Sequence, residues 1–275
     1  MRMANGVAPS SVQDYVEGAP SPRLAAHVVC WSVHRIEPGS SSYLHRSAPN
    51  GSAELVCEVG GQPLLVGPRT GPLVRTLPPG AAIVSVRLRP ESAAAVLGVP
   101  AHELSDQVVL LEDALPATRS LSEQIAGEPK RAVEALQDAV AAQLRRCETT
   151  DRLVAFGVEQ LTARGTQVSS VAALASMSER QLLRRFRAAV GLSPKALERV
   201  LRFQRFLALV HTGGWRRFGL ARTAVVLGYA DQSHLTRECV RLSGLPPAEL
   251  IRQTEIHCRG RHDHSPSFRA LFARS

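Results

Sequence analysis

The spacing of apolar positions changes part-way along the chain. From residue 24 to about 89, short β-prone stretches at 28–36, 54–59, 64–66, 73–77 and 82–88 are divided by P-N-G at 49–51, G-G at 60–61 and P-P-G at 78–80. Within 83–88, Val84, Val86 and Leu88 share one side, while Ile83, Ser85 and Arg87 share the other. Only one side is consistently apolar, which predicts a small β-rich domain with one packed face and one mixed face. A helix follows at 90–98, opened by Pro90 and closed at Gly98, and 113–127 reads as helical or mixed. Pro129 opens a stronger helix whose stripe Val133, Leu136, Val140 and Leu144 runs up to Arg145 and Arg146. Such a stripe packs on its own β-domain or forms a dimer seam.

Beyond about residue 148 the period is helical throughout. Asp151 is placed to cap a helix through Leu153, Val154, Val158 and Leu161 that ends near Gly165. Val168, Val171, Ala172 and Ala175 predict a short helix before Ser176-Met177-Ser178. Ser178 and Gln181 then form a capping box, so a new helix begins there. Its Leu182, Phe186, Ala189 and Val190 fall on one side, and Arg180, Arg184 and Arg187 on the other. Taken alone, that cationic side is an ordinary solvated helix surface. The neighbourhood changes the reading, because short helix, tight turn and capped helix make a helix-turn-helix.

The arrangement repeats after about 53 residues. Leu220, Thr223, Ala224 and Leu227 precede Gly228-Tyr229-Ala230, and Asp231 caps a helix that turns Leu235, Cys239 and Leu242 inward. Its outward arc carries Ser233, Arg237 and Arg241, flanked by Gln232, His234 and Thr236. Each unit ends alike, in A-V-G-L-S-P at 189–194 and L-S-G-L-P-P at 242–247, with Gly191 and Gly244 suited to left-handed closure. Between the units, Ser193 and Pro194 start a helix of about 17 residues, a rod of about 26 Å. That length can hold two recognition helices at a separation comparable to one DNA turn, about 34 Å.

Charge supports this division. The chain has 275 residues and a net charge of +9; from residue 165 onward 18 Lys and Arg stand against 7 Asp and Glu, and before it 15 against 17. The basic half is the candidate polyanion binder. With 44% hydrophobic and 21% charged residues the chain reads as globular. No signal-peptide core or membrane-length apolar run is apparent, so a cytoplasmic protein with no membrane partner is expected. Five scattered cysteines without a C-x-x-C pair predict free thiols. The expected fold class is α+β: a loose leader at 1–22, a β-rich, sensor-like regulatory domain with connecting helices at 23–148, an all-α double helix-turn-helix at 149–256, and a polar, disordered tail at 257–275.

The stretches S-E-R-Q-L-L-R-R-F-R-A-A-V-G-L-S-P-K and L-G-Y-A-D-Q-S-H-L-T-R resemble the two-part signature of the AraC/XylS transcriptional regulators, over roughly residues 168–252. The resemblance implies two recognition helices in successive major grooves. By position it assigns base-edge contacts to Arg180, Leu183 and Arg184, then to Gln232, Ser233 and Arg237. Arg180 and Arg184 suit guanine, Gln232 suits adenine, and Leu183 offers an apolar contact. Arg187, His234, Thr236 and Arg241 complete the expected DNA-binding set. Ser176 stands where the family usually has a turn glycine, and Thr223 and Cys239 replace larger apolar residues, which implies a looser second unit. The front half is more distantly similar, through C-W-S-V at 30–33, V-G-P-R-T-G at 66–71 and the run from Arg87, to a β-rich domain that precedes some of these regulators. The expected partners are double-stranded DNA, a small-molecule effector at the front domain, RNA polymerase and a second copy of the chain, with activation as the family's commoner mode.

Other chemistry is weaker. His257, Cys258, His262 and His264 match no standard zinc spacing and read as a histidine-bearing tail, so neither a metal nor a cofactor is expected. His27, Cys30, His34 and His45 lack a paired-histidine pattern and read as packing or surface residues. DNA-repair methyltransferases that carry a similar DNA-binding domain need a four-cysteine site or a reactive-cysteine motif, so no enzymatic activity is expected. The remaining alternative is a low-specificity architectural DNA binder.

Overall fold

The computed structural model describes residues 13–125, 127–146, 150–162, 178–258 and 262–272. The front half contains β1 (Gln13–Gly18), β2 (Val28–Ile36), β3 (Tyr43–Ser47), β4 (Glu54–Glu58), β5 (Leu64–Val66), β6 (Leu73–Leu77), β7 (Ala82–Leu88) and β8 (Val108–Leu110). Six strands form one antiparallel sheet in the order β1-β2-β7-β4-β5-β8, and β3 pairs with β6 in a second. Four helices complete this half: α1 (Ala93–Leu97), α2 (Leu111–Ala114), α3 (Leu121–Ile125) and α4 (Pro129–Leu144). The second half contains α5 (Arg152–Thr162), α6 (Glu179–Val190), α7 (Pro194–His211), α8 (Gly219–Val226), α9 (Gln232–Ser243), α10 (Pro247–His257) and α11 (Ser265–Phe272). This is the expected order, a β-rich region followed by a helical one. None of these helices is long and apolar enough to cross a membrane.

The two faces of β7 have different uses. Val84, Val86 and Leu88 are fully buried in one core with Val96 and Leu97 of α1 and Val133, Leu136 and Val140 of α4. The apolar stripe of α4 therefore packs on its own sheet. Ile83, Ser85 and Arg87 face the opposite way and line a cavity of about 100 Å³ closed by His45 and Ser47 of β3 and Leu73 and Arg75 of β6. Arg87 survives there because its Nε donates to Glu54 Oε1 at 2.7 Å, an oxygen that also accepts from Asn50 Nδ2 at 2.7 Å. Burial opposes ionisation of Glu54, but Arg87 outweighs it and holds the carboxyl below its usual range.

The halves share a core. Val29 and Cys30 of β2 pack with Val154 and Val158 of α5, Phe186 and Val190 of α6, and Leu197 and Leu201 of α7. A fully buried side chain of this size contributes about 1.5–3 kcal/mol.

Two expectations differ from the structure. The leader at 1–22 includes β1, which pairs with β2 from Gln13 opposite Ile36 to Gly18 opposite Trp31. The free edge of β2 would leave a row of unpaired backbone groups, and β1 satisfies them. The tail at 257–275, expected to be disordered from its polar composition, contains α11, which packs on β1, β2 and α7. The Ser267 N–H donates to Glu17 Oε2 at 2.9 Å, and the Phe268 ring lies 5.8 Å from that of His211. The Phe268 ring and the Ser267 N–H bond to Glu17 thus seat a segment whose polar composition predicts disorder.

Buried histidines make the front domain acid-sensitive. Burial, with repulsion from His45, His262 and His257, lowers His34 from 6.5 to about 3. Burial, opposed by Glu54 and assisted by Arg75 and Arg69, lowers His45 to about 4. The tyrosines Tyr15 and Tyr43 also face His34. The unfolded chain takes up protons at these positions below about pH 6.5, whereas the fold resists until pH 3 to 4. Their stabilising contribution is therefore complete above pH 6.5 and falls as pH drops below it. The thermal midpoint is expected to be lower at pH 5 than at pH 7, with a smaller difference in His34→Gln; equal differences in the two proteins would exclude His34 as a cause.

Candidate nucleic-acid interface

The capping box at α6 is formed. Ser178 Oγ accepts from the Gln181 N–H at 3.3 Å, and the Ser178 N–H donates to Gln181 Oε1 at 3.1 Å. From that start, Leu182, Phe186, Ala189 and Val190 are buried, while Arg180, Leu183, Arg184 and Arg187 are exposed. The three arginines form no ion pair with any described residue. Arg185, beside them in sequence, points elsewhere and pairs with Asp151 at the start of α5 at 2.8 Å. The preceding helix expected from Val168 to Ala175, and the Ser176 turn, lie outside the described residues.

The second unit is described throughout. Asp231 Oδ1 caps α9 by accepting from the His234 N–H at 2.6 Å. Leu235, Cys239 and Leu242 are buried; Gln232, Ser233, Arg237 and Arg241 are exposed. His234 and Thr236 are half-buried and turned toward the helix start. His234 Nδ1 accepts from the Ala230 N–H at 3.2 Å and its ring stands edge-on to Tyr229, while Thr236 Oγ1 donates to the Gln232 carbonyl at 2.9 Å. Both shape the turn as well as border the exposed arc. Thr223 is fully buried, and its hydroxyl has no hydrogen-bond partner among the described residues.

The long helix α7 fixes the second unit to itself. Arg199 pairs with Glu238 of α9 at 2.9 Å, and Arg202 Nη1 donates to the Gly228 carbonyl in the turn at 3.1 Å. Sequence reasoning missed a neighbouring cationic group at the start of α8. Arg217 and Arg222 sit over the ring of the exposed Phe218 at 5.3 and 5.2 Å, which leaves both guanidinium groups at the surface. The W-R-R-F doublet was the available signal.

The front domain holds the far ends of both candidate recognition helices. Gly191, at φ +84°, closes α6, and Ser105 Oγ donates to its carbonyl at 2.7 Å. A Cβ at that glycine would lie 2.8 Å from Pro68 Cγ and 2.9 Å from the Ala101 carbonyl. Gly244, at φ +75°, closes α9, and Arg46 Nη1 donates to the adjacent Ser243 carbonyl at 3.1 Å. Midway between them, Gln204 of α7 donates to the Pro49 carbonyl at 2.7 Å.

Residues 171–253 match the model of a family described as a helix-turn-helix domain. This is an AraC-type DNA-binding domain. The protein that carries it is a DNA-binding transcriptional regulator. Its front region, residues 16–110, matches a domain of unknown function, DUF6597. A search of curated proteins found no match. Similar solved structures include ToxT from Vibrio cholerae at 1.65 Å, with 12% identity over 87% of this chain and 97% of that one, at a TM-score of 0.39. ToxT bound to (E)-4-(8-methylnaphthalen-1-yl)but-3-enoic acid gives 10% identity over 87% and 97%, at 0.40, and unsaturated fatty acid bound ToxT gives 9% over 91% and 97%, at 0.38. Likeness at that level carries no functional weight.

Of the front-half histidines, His34 and His45 come together with ring centroids 4.9 Å apart, whereas His27 bonds Ser92 at 3.2 Å and Cys30 lies in the shared core.

The buried Thr223 hydroxyl costs the AraC-type domain stability. Thr223→Val removes that unpaired group at nearly constant shape and is expected to stabilise the protein by about 1 kcal/mol in chemical denaturation; a loss of stability would mean that the hydroxyl finds a partner.

Proposed function

We propose that the protein binds a specific double-stranded DNA site in the cytoplasm, placing α6 and α9 in successive major grooves, and activates transcription through RNA polymerase. The observation that carries this reading is the pair of exposed arginine arcs on helices joined by the 18-residue rod α7, about 27 Å long at 1.5 Å per residue. Arg180 and Arg184, with an apolar contact from Leu183, read one groove; Gln232, Ser233 and Arg237 read the other. Arg187, Arg241, Arg217 and Arg222 neutralise phosphates, and His234 and Thr236 border the second contact.

The front domain acts on this interface through Ser105, Arg46 and Gln204, so a small molecule bound there would change how the two helices are presented. A cavity of about 250 Å³ between the halves, lined by Tyr43, Arg46, Gln204 and Leu250, is a suitable place for such an effector. The stripe of α4 that suggested a dimer seam packs on the protein's own sheet, so the proposal does not include a homodimer. No catalytic role is assigned, because Cys30, Cys57 and Cys239 are buried in three separate cores. An architectural binder would share the phosphate contacts but lack discrimination.

Selection of bound sequences from a random duplex pool is expected to recover two half-sites, favoured over random DNA by about 10³ or more; an unselective pool would indicate the architectural alternative. On the selected site, Arg184→Ala is expected to cost about 1–3 kcal/mol and to relax base preference at one position. Equal loss on all sequences would assign Arg184 to phosphate. The double variant Ser105→Ala, Arg46→Ala is expected to keep binding to each half-site while tolerating altered half-site spacing, and unchanged spacing preference would rule out the front domain as the spacer.

A further inference from the structure

Six of the nine histidines, His34, His45, His211, His257, His262 and His264, line the cavity between the two halves, and DNA reading uses none of them. Three residues, one of them distant in sequence from the other two, meet at its edge. His211 ends α7, Cys258 caps α10, and His264 immediately precedes α11. One ligand atom from each lies within 4.8 Å of the others. Cys258 Sγ is 3.9 Å from His264 Nε2, and the His211 and His264 ring centroids are 4.0 Å apart. Around a tetrahedral ion with metal–nitrogen bonds of about 2.0–2.1 Å and a metal–sulfur bond of about 2.3 Å, neighbouring ligand atoms are roughly 3.4–3.6 Å apart. Side-chain rotations of about 1 Å complete that geometry.

A separate observation concerns the far nitrogen of His264. Its Nδ1 lies 3.6 Å from Glu17 Oε1, and Glu17 is itself fixed, accepting from the Tyr15 hydroxyl at 2.6 Å and from the Ser267 N–H at 2.9 Å. The Glu17 side chain is only 2% exposed. A carboxylate facing the outer ring nitrogen favours the tautomer whose other nitrogen is free to ligate, the position that outer-shell partners of metal-binding histidines take.

We propose that His211, Cys258 and His264 bind one divalent ion of the zinc class, with Glu17 as a positioning residue for His264. Two imidazoles and one thiolate suit borderline-soft zinc and exclude the oxygen-seeking magnesium and calcium. On binding, the Cys258 thiol gives its proton to solvent and the sulfur forms the metal bond; no oxidation occurs. Three protein ligands leave one tetrahedral position, and Arg216, Thr254 and Glu255 line a cleft from solvent to His211 and Cys258 through which water or an anion reaches it. The ligands belong to the rod between the two helix-turn-helix units, to the last helix of the second unit and to the tail seated on β1. The ion therefore joins the DNA-binding half to the front sheet at one point.

The test uses the untagged full chain, freed of metal by a chelator and titrated with cobalt and then zinc. One equivalent of cobalt is expected to give tetrahedral visible bands and a thiolate-to-metal charge-transfer band, both removed by one equivalent of zinc. Cys258→Ser is expected to abolish the charge-transfer band, His211→Ala and His264→Ala to weaken zinc binding by about 100-fold or more, and Glu17→Gln by about 10–100-fold, with Cys57→Ser unchanged. Because a substitution at the domain junction can unfold the chain, alkylation of the wild-type protein supplies a second readout, in which zinc is expected to protect Cys258. A cobalt complex without the sulfur band, stoichiometric binding that persists without His211 and His264, or Cys258 alkylation at the same rate with and without zinc would overturn the proposal. None of these readouts involves DNA.

Discussion

The constraint on which this structure depends lies at the C-terminal ends of two helices. The last carbonyls of a helix have no partner within it, and a domain that supplies one fixes the helix end in space. Here the donors are Ser105 and Arg46, both from the front half, and the recipients are the ends of α6 and α9. Gly191 leaves no room for a side chain against Pro68, so the first contact is close-fitting as well as bonded. Gln204 bonds Pro49 at the middle of the rod, and the three contacts together define the pose of the DNA-binding half.

This arrangement separates the residues proposed to read DNA from the residues that hold the helices in place. The side chains proposed to read DNA are exposed and their arginines carry no ion pairs among the described residues, so little would have to be broken before they met bases or phosphates. The holding side chains are engaged: Arg185 with Asp151, Arg199 with Glu238 and Arg202 with Gly228. Within α6, Arg185 is thus engaged while its neighbour Arg184 forms no ion pair with any described residue, set by which face of the helix each occupies. The N-terminal caps hold the near ends and the front domain holds the far ends. Each candidate recognition helix is thereby restrained at both termini, with its middle exposed.

Local chemistry made much of this legible. Ser178 with Gln181, Asp231, Gly191 and Gly244 are punctuation that acts within one helical turn, and each stands where its residue type predicts. The alternation of β7 likewise foretold a dry face and a mixed one. The missed features involve partners distant in sequence. Strand β1 exists because β2 offers an edge, and nothing in Gln13–Gly18 alone announces it. The tail helix depends on Glu17 and His211, so its own composition misleads. The His211–Cys258–His264 cluster fails every linear spacing rule because one member comes from another helix. The same applies to His234, whose position suggested contact with DNA but whose ring also completes a turn through the Ala230 N–H.

The seating of α11 on β1 has a consequence for how the chain can be rearranged. The first described strand and the last described helix touch, with Ser267 completing the coordination of Glu17. Among the described residues the two halves are therefore joined by this contact as well as by the connecting helices, and are not two modules on a string. A chimera that exchanges front domains between regulators must therefore transplant α11 with the sheet it rests on.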